Sequence, residues 1–182
     1  LFLSLGESFG VATGINFNLL PNGTIDAGLS ATGATPATPV VNDGTPHHLA
    51  LTFDGTTDTY ELFIDGTSVG TYVNGTGNIT LGQLTMGSGN LGENPFDGLL
   101  DDVRVYNDVR SDAEIAPDAV GTLDTGALAD GNLLIAYDFE PANISPSGAV
   151  TNLGAIGTFA NASSGVATQP ALQFDGGDIV TA

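Results

Sequence analysis

A chain of 182 residues is long enough to bury one sizeable core, and with no Cys it holds neither a disulfide nor a thiolate-bound metal. Its 21 acidic residues face two basic ones, Arg104 and Arg110, and the resulting formal charge of -19 excludes nucleic acid and anionic membrane surfaces as partners. A hydrophobic content of 41%, set in periodic runs, excludes disorder, so the charge points to work in high salt or to neutralisation by divalent cations.

No apolar run is long enough to span a bilayer. The start at Leu1, without Met or a leader, reads as a processed product or a piece of a longer chain. Leu1-Phe2-Leu3-Ser4-Leu5 alternates apolar and polar residues and predicts a strand, either the next one in its own sheet or one donated to a neighbouring chain. Phe17 to Leu20 predicts a strand ending at the Pro21-Asn22-Gly23 turn, with Thr24 to Leu29 following. Leu49, Leu51 and Phe53 alternate before Asp54-Gly55, Tyr60, Leu62 and Ile64 alternate before Asp65-Gly66, and Val69 to Val73 returns. Asp-Gly between alternating runs is a strong hairpin signal, because the turn needs positive φ at both central positions.

Later strands are predicted at Leu81 to Met86, Leu99 to Tyr106, Leu133 to Phe139 and Leu172 to Phe174. Helix is scarce: Ser111-Asp112-Ala113-Glu114 forms a capping box, and Pro117 stops the helix after barely a turn. Pro117 to Gly131, rich in Gly, Ala, Thr and Asp, reads as a linker or long surface connection. Many short strands, abundant Gly and one short helical turn near 111–116 predict an all-β antiparallel sandwich.

The stretch HHLALTFDGTTDTYELFIDG resembles the central hairpin of laminin-G-like, concanavalin A-like jelly-roll domains. FDGLLDDVRVYNDVRSDAEI is similar to their closing strand and helical turn, and LLIAYDFEP and ALQFDGGDIV to their opening strands. One departure is Pro46, where the family commonly carries Trp before the His pair. The order also differs, since in the family the AYDFE and FDG segments come first. Residues 1–115 therefore read as central and closing strands, 116–131 as the connection, and 132–182 as opening strands. Three explanations stand open: a piece of a tandem array, a circular permutant closing on itself, or a subunit that receives a strand from its neighbour.

Glycosidases on this sandwich resemble one another in carrying acidic residues two and five positions apart on one strand. None of Glu7, Glu61, Glu93, Glu114 and Glu140 begins such a run, and the usual hydrolase and phosphate-loop motifs are absent, so no enzyme is expected. His47 and His48, neighbours on a strand, point to opposite faces and are expected to cap its edge. Calcium takes oxygen ligands from loops. The chain offers Asp101, Asp138, Asp175 and Asp178 as candidate ligands, with Glu140 nearby, and the resemblance implies an ion linking opening and closing segments with an Asp in the position of Asp101. Of the adjacent Asp101 and Asp102 at most one points inward, and Arg104 shares a face with Asp102 and is expected to pair with it.

A carbohydrate site, the usual inference for this fold, wants an exposed aromatic beside polar groups. The loop GSGNLGENPFDG offers Glu93, Asn94 and Phe96 as ligand-binding candidates, whereas Tyr60, Tyr72, Tyr106 and Tyr137 alternate with apolar residues and are expected to pack. Sequons stand at Asn22, Asn74, Asn78, Asn143 and Asn161, and would mark an extracellular surface if glycosylated. The expected function is a non-catalytic, secreted or cell-surface adhesion module, calcium-stabilised, binding a glycan or an extracellular protein. The alternative is a fibre-forming subunit whose partners are copies of itself.

Overall fold

The computed structural model describes residues 3–5, 15–29, 37–73, 84–87, 96–120, 130–143, 151–154, 172–175 and 180–181. Leu3–Leu5 (β1), Ile15–Leu19 (β2) and Ile25–Leu29 (β3) pair in sequence as antiparallel neighbours. Gly23, at φ +83, closes the β2–β3 turn by donating its N–H to the Leu20 carbonyl at 2.8 Å. Leu49–Asp54 (β4), Thr59–Ile64 (β5) and Thr67–Val73 (β6) make a three-stranded antiparallel sheet in that order.

Asp65 and Gly66 both have positive φ, 52° and 73°, as a two-residue hairpin turn of the mirror-image type requires. Asp54-Gly55 behaves differently from expectation. The β4–β5 connection is longer, Asp54 Oδ1 accepts the Thr56 N–H at 2.8 Å, and the positive φ falls on Asp58. The Asp54 carboxylate has folded the backbone onto itself as an Asx turn before the chain reverses.

Leu84–Met86 (β7) joins the first sheet, in the order β12-β7-β1-β2-β3, where β12 is Val180–Thr181. The expected strand from Leu99 to Tyr106 is two strands, Asp97–Leu100 (β8) and Val103–Tyr106 (β9). The break lies at Asp101-Asp102: Asp102 has φ +48, outside any strand conformation, and Asp101 Oδ1 accepts its N–H at 3.0 Å. Leu133–Tyr137 (β10) pairs antiparallel with β9, and Leu172–Asp175 (β11) with β8. The helix Asp112–Ile115 (α1) has the expected box: Glu114 accepts the Ser111 N–H at 2.8 Å and its hydroxyl at 2.7 Å. A 3-10 turn at Asp118–Val120 follows Pro117.

The core forms where the inward stripe of β3 meets that of β5. Ile25 and Ala27 pack on Leu62 and Ile64, ringed by Phe17, Leu19, Leu49, Leu51, Phe96 and Leu100. Phe53, Tyr60 and Tyr72 are cross-strand partners and form an aromatic ladder, with ring centroids 4.5 and 5.2 Å apart. Tyr72 ties the two layers together, its hydroxyl donating to the Ala27 carbonyl. On the opposite face of β5, Phe63 is also buried. There the hairpin turn meets the helical segment, and a Cβ on Gly66 would stand 3.0 Å from Ala119 and 3.2 Å from Ala116.

Candidate functional site

Asp101 and Asp102 at the β8–β9 break stand beside Asp138 and Glu140, which follow β10, because Val103 pairs with Tyr137 in the antiparallel register. Among the described residues, this acidic corner is where sequence candidates meet. Desolvation raises the Asp101 carboxyl to about 6; the Asp102 N–H acts against that, while the charges of Asp102, Glu140 and Asp138 add to it. Asp101 is exposed as a residue, so its carboxyl lies in a shallow recess that water still reaches.

Asp138 is engaged locally. Its Oδ1 accepts the Glu140 N–H at 3.2 Å and its Oδ2 accepts Asn143 Nδ2 at 2.7 Å, organising the 3-10 turn Pro141–Asn143. The donors are oxygens, as calcium prefers. Among the described residues, however, no three His, Cys, Asp or Glu side chains converge on one point. The described corner thus supplies only part of the about six to eight oxygens that calcium takes. The Asp175 side chain and Asp178 lie outside the described residues.

Glu93 and Asn94 also lie outside them. Phe96, their partner in the candidate ligand loop, packs against the core cluster and covers Gly98, where a Cβ would meet the ring at 2.5 Å. Its N–H donates to the Gly87 carbonyl at 2.7 Å and closes the base of that loop. The tyrosines pack as expected: Tyr60 and Tyr137 are fully buried, and Tyr106 lies under the Arg110 guanidinium at 4.4 Å.

The histidine pair is built into the fold by Asp65. His47 Nδ1 lies 2.9 Å from Asp65 Oδ2, its Nε2 lies 3.2 Å from Asp43 Oδ1, and the His48 N–H donates to Asp65 Oδ1 at 3.0 Å. The Asp65 bond, more than the Asp43 one, raises His47 above its ordinary pKa, against some desolvation. Hydrogen bonds from Thr45 hold Asp43 down at about 2. His48 turns the other way, its Nδ1 buried without a partner, and burial lowers its pKa. The two rings serve opposite sides of the strand.

Both cations are occupied. Arg104 does not pair with Asp102 as expected; its Nη1 lies 2.7 Å from Asp118, because the β8–β9 break removes Asp102 from the strand face and the 3-10 turn brings Asp118 in. Arg110 joins Asp130 at 2.7 Å, Glu114 at 3.3 Å and Asp108 at 3.4 Å. Asp118 and Asp130 were missed as partners because both belong to a stretch whose composition signals only a connection.

Glu61, the glutamate within a described strand, accepts from the Ser68 hydroxyl at 2.5 Å. Of the sequons, Asn22 is exposed and its Oδ1 accepts the Thr24 N–H and hydroxyl, whereas Asn143 spends its side-chain amide on Asp138. Asn74, Asn78 and Asn161 lie outside the described residues.

Residues 3–116, more than half of the chain, match the laminin-G-type family described as the concanavalin A-like lectin/glucanases superfamily. The chain belongs to this superfamily. No curated protein and no solved structure matches it. Laminin-G-type domains are generally binding modules and typically extracellular. The antiparallel strand layers described above are the all-β sandwich of that family. Among the described residues of this laminin-G-type domain, no helix is long and apolar enough to cross a membrane.

Proposed function

We propose that this laminin-G-type domain is a non-catalytic adhesion module of a secreted or cell-surface protein, binding a glycan or an extracellular protein. Membership of a lectin-type sandwich family carries the reading. The charge inventory narrows the ligand. The two cations of the chain, Arg104 and Arg110, are both held in ion pairs, and His47 lies between two carboxylates. A polyanionic ligand such as a sulfated glycan finds no free positive side chain to receive it, so the ligand is neutral or basic. The acidic corner around Asp101, Asp138 and Glu140 is where calcium would bind and relieve the carboxylate repulsion; Asp175, by contrast, pairs with Asp97 at the far end of β8.

The test is a panel of immobilised neutral glycans, sulfated glycans and basic extracellular proteins, read in excess calcium and in excess chelator. Saturable binding to a neutral or basic ligand, weakened in E93Q and N94A, is the expected result. Preferential capture by sulfated glycans in chelator would overturn the ligand class, and no binding to any member would overturn the module.

A further inference from the structure

The match to the family ends at residue 116, but the sheets continue beyond it. Three strands within the matched region have partners outside it: β9 pairs with β10, β8 with β11, and β7 with β12. Leu99 stands opposite Gln173 and Val103 opposite Tyr137, with one bulge in the β9–β10 ladder between Leu133 and Ile135. β10 is no surface addition. Leu133, Ile135, Ala136, Tyr137 and Phe139 are all 0% exposed.

The far side of β10 is closed as well. The Ala136 N–H donates to Asn152 Oδ1 at 3.0 Å, and the Leu153 N–H donates to the Ala136 carbonyl at 2.9 Å. The root of the strand is fastened to the exit of β9. There the Asn107 N–H donates to the Asn132 carbonyl at 2.9 Å, Asn132 Nδ2 to Asp108 at 3.2 Å, and Arg110 to Asp130 at 2.7 Å. One of only two cations in the chain is thus committed to this junction.

We propose that β7, β8 and β9 are strand-acceptor edges and that their occupants are β12, β11 and β10 of the same chain. The sandwich is then closed within one molecule, with its completing strands supplied after the family-matched region. The folding unit runs from β1 to β12. Among the described strands, the edges of β7, β8 and β9 are then already taken, and β1, the candidate donor, is held between β7 and β2 of its own sheet. This inference is independent of the ligand reading above.

A chain without cysteine makes the test clean. The full-length L99C/Q173C variant places thiols on directly opposed strand positions, within the separation a disulfide spans. On mild oxidation the expected product is a cross-linked monomer over a hundredfold range of protein concentration. Disulfide-linked dimers or ladders would show that the strand comes from another copy, and thiols that stay unlinked in a folded protein would show that it does not dock; either overturns the proposal. Hydrogen exchange on the unsubstituted chain covers the case of a misfolded variant. Amides of 103–106 and 133–137 are expected to be protected together at every protein concentration, and protection of 133–137 that disappears on dilution would overturn the proposal.

Discussion

Two ionisable residues carry opposite pH signatures. Asp101 titrates in the fold near 6, above the ordinary carboxylate value, mainly because its recess desolvates it. A raised carboxyl favours the fold below its unfolded pKa, and that contribution is lost as the pH climbs through 6. D101N keeps the oxygen that accepts the Asp102 N–H and removes the charge. It is expected to raise stability at pH 8 by about 1 kcal/mol after allowing for solvent screening, and to leave stability at pH 3.5 unchanged, as thermal melts would show. Excess calcium should abolish the gain if the corner binds the ion. His47 is a raised base, so its contribution is present below about pH 6.5 and fades above its elevated folded pKa. Its side chain is 16% exposed and its partners about half exposed, so the clamp is screened. H47Q should cost about 0.5 kcal/mol at pH 5.5 and close to nothing at pH 9 in denaturant titrations; comparison with the parent at each pH cancels the opposing titration of His48.

Strands and turns show where local chemistry holds and where neighbours override it. The β5–β6 turn follows its dipeptide, because Asp65 and Gly66 both reach positive φ at little cost. The β4–β5 connection does not, since the Asp54 carboxylate captures the Thr56 N–H first. The β8–β9 break falls where Leu99-Leu100-Asp101-Asp102 interrupts the period-two alternation, and the positive φ of Asp102 is what ends the strand there. Beside β10, Gly154 lies so close that a Cβ would collide with the Leu134 carbonyl oxygen. Backbone cannot yield as a flexible side chain does, so G154A is expected to destabilise by about 1–3 kcal/mol in chemical denaturation. A neutral G154A would mean that the 151–154 segment does not pack against β10.

For the molecule as a whole, the decisive question is whether the two ends of the chain share one core. Ile135 sits at 0% exposure in β10, outside the family-matched residues. I135A is expected to lower stability by about 2–5 kcal/mol and to shift a single cooperative transition without splitting it. Two separate transitions, with only the smaller one moved, would mark the later residues as a separate unit. A charge of -19 adds a second expectation at this scale, since self-repulsion opposes compaction and salt relieves it.

The amino-acid sequence by itself determined the sandwich class, most strand positions, the capping box and the dominance of negative charge. These rest on period-two alternation, turn dipeptides and composition, which act between residues near one another in the chain. The packing of the tyrosines was legible for the same reason. Only the tertiary structure decided that Asp118 and not Asp102 meets Arg104, that Asp65 anchors both histidines, that Phe96 packs against the core, and that β10 lies beside β9. Each of these depends on which distant segments come into register, and register is set by packing and long-range hydrogen bonds that no local pattern encodes.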